Sequence, residues 1–190
     1  MEKKLFYWDA VSEEIGKLLL RHLNKDMDIC EIGFASGHFL EFLYYEGYSN
    51  LSGIEVRTDI YQETMIKFSK QNMEIDLMNK DVLEMYKKYD AIYTTGLIQC
   101  FDEKERGFLL NHLSRLAPVA IYIVPEIEKN RNKDSREKVA VAGCREFSTG
   151  NIAYELSNCY SSIYVGKIDK SQIGLNDNFL YYVCERQLIR

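Results

Sequence analysis

The sequence predicts an α/β chain: a doubly wound, seven-stranded, mostly parallel sheet with an antiparallel edge strand. Three observations carry this expectation. Short β-rich runs alternate with amphipathic helical segments along residues 11–124. The run Val119–Val124 is continuously apolar, as a strand covered on both faces must be. Two alternating segments then close the chain with no helix between them, which implies antiparallel pairing at one edge.

The elements follow in order. Val11–Asn24 has Ile15, Leu18, Leu19 and Leu23 at helical spacing, with Ser12 as a candidate cap. Met27–Ile32 is a short apolar run ending at Gly33, hence a first strand. Gly37–Tyr45 is helical, with Phe39, Leu40, Phe42 and Leu43 apolar. Leu51–Val56 is a second strand, and Thr58–Lys70 a helix capped by Thr58 or Asp59. Met73–Met78 is a third strand, and Tyr89–Thr95, rich in β-formers, a fourth. Asp102–Leu116 is an amphipathic helix with Phe108, Leu109, Leu113 and Leu116 as its core face. After the fifth strand, Glu126–Lys138 is charged and irregular, which suits a surface loop or lid. Thr149–Tyr160 is a further helix. Ser161–Ile168 and Asn178–Leu188 are the closing strands, joined by a turn at Gly174–Asn178.

At 190 residues the chain suits one domain, 1–190, in which 1–24 forms an N-terminal helix and cover and 126–148 a variable loop or lid. Hydrophobic residues make up 46% and charged residues 28%, so the chain can bury a core and is not a disordered one. The net charge of −5 and pI of about 5.3 argue against a nucleic-acid partner. Fourteen Tyr would suit base stacking, but most fall at core-type spacing and no basic groove accompanies them. The five Cys include no CxxC pair, so zinc knuckles and thioredoxin-type chemistry are not indicated, and reduced buried thiols are expected. No signal peptide and no membrane-spanning run is evident, so the expected location is the cytoplasm and no membrane partner is expected.

In such sheets ligands bind at the carboxyl ends of the strands. The loop after the first strand reads Glu31-Ile32-Gly33-Phe34-Ala35-Ser36-Gly37-His38. Gly33 permits a tight turn and a close backbone approach, and Gly37 opens a helix whose free N–H groups favour an anion. A dinucleotide fingerprint needs a small residue at 38, where this chain has His. Small residues at 33, 35 and 37 instead follow the pattern acidic-x-Gly-x-Gly-x-Gly, with Ala35 in the second position.

On these residues the chain resembles the class I S-adenosylmethionine-dependent methyltransferases, the Rossmann-like superfamily, over residues 5–188. The resemblance implies that Glu55, at the end of the second strand beside Val56, accepts from both ribose hydroxyls. It implies that Asp81 accepts from the adenine amino group while the Val82 N–H meets the ring. Asp81 is equally an N-cap for a short helix at 82–86, and the two roles can coexist. Thr95 and Gly96 stand where the family lines the adenosine and methyl-donor pocket, and Glu31 where it holds the methionine end. With Gly33, Phe34, Ala35 and Gly37, these form the implied cofactor set, for S-adenosylmethionine and its product S-adenosylhomocysteine. Arg145-Glu146-Phe147-Ser148 and Ile163-Tyr164-Val165-Gly166 resemble the family's close.

The implied activity is methyl transfer to a small-molecule acceptor, since no separate substrate domain is present. The sulfonium is already an activated leaving group, so positioning and desolvation suffice for much of the chemistry. A base for the acceptor would come from Glu126, after the fifth strand; Gln99 could orient, and His112, inside a helix, is read as distant. His38 suits packing or solvent, and Tyr7 and Trp8 could cover the pocket. No Asn/Asp-Pro-Pro-Tyr signature follows the fourth strand, which argues against the amide-methylating subclass, and no metal is expected. Two other readings stay open: a catalytically silent binding or regulatory protein on the same fold, and an NAD(P)-binding oxidoreductase.

Overall fold

The computed structural model describes residues 10–125, 152–168 and 179–186. The strands are β1 (Ile29–Ile32), β2 (Leu51–Glu55), β3 (Asp76–Asn79), β4 (Ala91–Thr95), β5 (Val119–Pro125), β6 (Ser162–Ile168) and β7 (Phe179–Glu185). The helices are α1 (Ala10–His22), α2 (His38–Tyr45), α3 (Thr58–Lys70), α4 (Glu103–Leu116) and α5 (Ile152–Ser157). Single 3₁₀ turns occupy Val82–Glu84 and Ile98–Cys100. The strands form one sheet in the order β3-β2-β1-β4-β5-β7-β6. β1 through β5 are mutually parallel; β7 inserts antiparallel between β5 and β6.

The helices cover both faces, because each presents one apolar stripe that must be buried. On one face Ile15, Leu18, Leu19 and Leu23 of α1 join Phe39, Leu40 and Leu43 of α2 and Phe68 of α3. On the other, Leu109, Leu110, Leu113 and Leu116 of α4 join Ile152 and Leu156 of α5. The strand order reverses between the parallel neighbours β1 and β4, each of which has its next neighbours on the opposite side. A crevice opens at such a switch point, outside the carboxyl ends of the strands.

Several local expectations change. The third strand starts at Asp76 rather than Met73, because residues 71–73 finish α3: the N–H groups of Gln71 and Met73 bond Phe68 O, and Asn72 turns the chain at φ 53°. Thr58 and Asp59 do not cap α3. The cap position is Arg57, Thr58 donates to Asn79 Oδ1, and Asp59 pairs with Arg57. Phe108 is not on the core face of α4; it is 63% exposed, and Leu110 is buried in that layer instead. The start of α4 is a full capping box between Asp102 and Glu105. Cys30 and Cys184 are buried free thiols, and Cys100 and Cys159 are half-buried ones. Tyr7, Trp8, Cys144, the whole 126–148 segment with Glu126, and the 174–178 turn lie outside the described residues.

Candidate functional site

The loop between β1 and α2 is shaped by backbone that most side chains cannot adopt. Gly33 has φ 74° and Gly37 φ 65°, with Ala35 between them at φ 46°. At Gly33 a Cβ would stand 3.3 Å from Leu97, so the loop's backbone is left bare where it approaches the strand ends. At Gly37 a Cβ would meet the Phe68 ring at 2.6 Å and Thr64 at 2.8 Å. That glycine is thus required by the packing of the loop on α3. Thr64 donates to Ala35 O at 2.9 Å, and Lys67 to Ser36 O at 3.1 Å. These bonds hold Ala35 in a left-handed conformation that would otherwise be unfavourable by about 1 kcal/mol.

Glu55, at the tip of β2, ties this loop to its own strand. Its Oε2 accepts the Ala35 N–H at 3.1 Å and its Oε1 the Arg57 N–H at 2.9 Å. Each carboxylate oxygen keeps further lone-pair capacity toward the open side. Asn79 fastens the same corner, donating through Nδ2 to Glu55 O at 2.8 Å. After β3, Asp81 caps the 3₁₀ turn by accepting the Leu83 N–H at 2.9 Å. The N-cap reading of Asp81 is therefore realised.

These residues converge on a cleft of about 870 Å³. Of the sequence-derived set, Gly33, Ala35, Glu55, Val56, Asp81, Val82, Thr95 and Gly96 line it. Glu31, Phe34 and Gly37 do not. Phe34 is buried against Gly53, and Gly37 against α3. Glu31 lies beneath the loop, where its carboxyl accepts the Tyr93 hydroxyl at 3.1 Å and the N–H of Leu40 in the first turn of α2. Burial pushes this carboxyl up to about 8, and the nearby Glu55 adds to the effect.

A further wall of the cleft comes from α4. Phe108, Asn111, His112 and Arg115 recur at helical spacing along the flank of α4 and all line the cleft. His112 is not distant, because α4 packs beside the β3–β4 connection and brings its Nε2 to 2.9 Å from Val82 O. Val56, Leu83 and Phe108 are large apolar side chains left 62%, 49% and 63% exposed around this one opening. Clustered exposed apolar groups mark a binding surface. The signal for this wall was in the sequence as the 108-111-112-115 spacing, but only the packing of α4 shows which flank is open.

The donor set fits an adenosyl group. A carboxylate with spare lone pairs stands at β2, a second acid and the first N–H of a helical turn stand at β3, and apolar side chains lie between them. Among the described residues there is no group of three His, Cys, Asp or Glu that could hold a metal ion, and no helix long and apolar enough to cross a membrane.

The chain matches no family profile and no curated protein sequence. Its fold is shared with solved structures. The magnesium protoporphyrin IX methyltransferase of Synechocystis PCC 6803, with bound S-adenosylhomocysteine, is 17% identical with a TM-score of 0.71, over 93% of this chain and 82% of that one. A phosphoethanolamine N-methyltransferase of Haemonchus contortus, in complex with phosphomonomethylethanolamine and S-adenosylhomocysteine, is 10% identical with a TM-score of 0.74, over 92% of this chain and 53% of that one. The mitomycin 7-O-methyltransferase is 14% identical with a TM-score of 0.67, over 93% and 54%. The fold is that of the S-adenosylmethionine-dependent methyltransferases.

Proposed function

We propose that this protein is an S-adenosylmethionine-dependent methyltransferase acting on a small-molecule acceptor. The observation that carries the reading is the convergence of Gly33, Ala35, Glu55, Asp81, Val82, Thr95 and Gly96 on one cleft at the switch point of the sheet. The bound donor would supply a methyl group on a sulfonium, with a neutral thioether as leaving group.

The chain's own groups have separable tasks. Glu55 receives the two ribose hydroxyls on lone pairs that the Ala35 and Arg57 N–H groups leave free. Asp81 and the Val82 N–H meet the purine edge, and Val56, Leu83 and Leu97 cover its faces. The bare backbone at Gly33 and Gly96 lets the sulfur end approach the tips of β1 and β4. Glu31, beneath the loop, would reach the methionine ammonium only through a bridging water. Glu126, just beyond β5, is our proposed base for an acceptor hydroxyl or ammonium. Exclusion of water around a positioned acceptor would then provide most of the rate.

Calorimetric titration with S-adenosylmethionine and S-adenosylhomocysteine, with NADH and NADPH as comparators, tests this. Micromolar binding of the sulfur compounds is expected, weakened at least about tenfold in Glu55→Ala, the loss of roughly one charged hydrogen bond. Binding of a nicotinamide nucleotide alone would make the protein an oxidoreductase. Binding of neither class would move it to a partner-binding role on an enzyme fold.

A further inference from the structure

We propose that His112 is a positioning residue for cofactor choice: it sets the peptide that aims Asp81 at the purine edge. The inference rests on the adenosyl reading of the cleft. Between β3 and β4 the chain makes a single 3₁₀ turn, closed by short-range bonds: Glu84 N–H to Asp81 O and Met85 N–H to Val82 O, both 3.1 Å. Val82 and Met85 anchor the turn by burial, and the Met85 N–H gives the Val82 carbonyl one of its two partners.

One plane is gripped at both ends. The carbonyl of the Val82–Leu83 peptide accepts from His112 Nε2 at 2.9 Å, and its N–H donates to Asp81 Oδ1 at 2.9 Å. A carbonyl oxygen only accepts, so Nε2 carries the proton and donates. The polar path therefore runs from α4 through His112, across one rigid peptide, to the Asp81 carboxylate. This bond fixes Asp81 Oδ1 on the turn and turns Oδ2 toward a donor in the cleft. An exocyclic amine, as on adenine, satisfies it. An oxo group at the same place, as on hypoxanthine, would set two acceptors against each other. Without His112 the Val82 carbonyl keeps only the Met85 N–H, so the peptide is held less tightly and Asp81 is aimed less sharply.

The test is discrimination rather than affinity alone. Binding of S-adenosylhomocysteine and of its hypoxanthine counterpart, S-inosylhomocysteine, is measured by calorimetry on the full chain and on His112→Leu and His112→Gln. The wild type should favour the adenine compound by roughly 10- to 100-fold, the range of one charge-assisted hydrogen bond. His112→Leu should lower that ratio about fivefold or more. His112→Gln, whose amide nitrogen can overlay Nε2, should restore it to within about twofold. A ratio unchanged in His112→Leu overturns the inference, whatever happens to the melting temperature, because a purely structural histidine would move stability and not selectivity. If the leucine variant does not fold, His112→Asn, polar but too short to reach Val82 O, takes its place in the same comparison. A wild type that binds neither compound sinks the cofactor reading and this inference with it. That result is distinct from binding without a His112 effect.

Discussion

Glu31 is 2% exposed, with its carboxyl between the Tyr93 hydroxyl and the first turn of α2. Burial lifts its pKa to about 8 from an ordinary 4.5. Between those values the folded chain holds more protons than the unfolded chain, so stability falls as pH rises. This contribution is complete below about pH 4.5 and is lost as pH climbs through about 8. Gln at this position is the uncharged isostere. Urea unfolding of Glu31→Gln beside the wild type should show a difference that moves in the variant's favour with rising pH, by an order of 1–4 kcal/mol. A constant offset across that range would mean that Glu31 binds no extra proton on folding, its pKa being the same in the folded and unfolded chain. Glu55 differs in kind: it is buried less deeply, two backbone N–H groups face it, and it remains at the cleft wall. The two acids were both readable as ligands from their positions after strands. Only the packing separates the one that lines the opening from the one beneath it.

At the scale of elements, α4 and α5 are joined by a forked ion pair. The Nε and one terminal nitrogen of Arg106 bond the two oxygens of Glu155 at 2.6 and 2.5 Å. The Arg106 side chain is 2% exposed and that of Glu155 11%. Removing one side chain takes both of these bonds from the other, and breaking a buried ion pair in this way is unfavourable by about 3–5 kcal/mol. Arg106 is the deeper of the two, so Glu155→Ala should destabilise more than Arg106→Leu, which leaves a carboxylate nearer water. Denaturant midpoints of the two variants check the order; the reverse order would mean that Arg106 is held by other groups. The same helix shows how a flank can be open while its neighbour is core. Phe108 sits next to Leu109 in sequence, and periodicity alone groups it with the core residues. An apolar stripe about 100° wide can bury Leu109, Leu113 and Leu116 while Phe108, with Asn111, His112 and Arg115, turns to the cleft.

For the whole molecule, the cleft belongs to no single element. It gathers the tips of β1, β2 and β4, the turn after β3 and the flank of α4. A ligand that bridges them stabilises the folded state by mass action, about 2.7 kcal/mol at a hundred times its dissociation constant. For a domain of this size that is a rise in melting temperature of roughly 5–10 °C. S-adenosylhomocysteine should produce it and NADH should not. A thermal melt with each ligand decides the matter, and equal shifts or none would count against an adenosyl cleft.

The sequence by itself determined the α/β class, the order of the elements and the acids and small residues of the β1–α2 loop. These follow from local causes: strand and helix periodicity, and the positive φ that Gly33 and Gly37 allow. It also identified Asp81 as a cap, since a cap is formed by neighbours in the chain. Tertiary structure alone decided the insertion of β7 between β5 and β6, the burial of Glu31, Phe34 and Gly37 below the cleft, and the wall that α4 contributes. His112 meets Val82 across thirty positions of sequence, and Glu55 meets Ala35 across twenty. Such contacts arise from how helices settle on a sheet, where each helix must bury a stripe but nothing local says which neighbour its remaining flank will face.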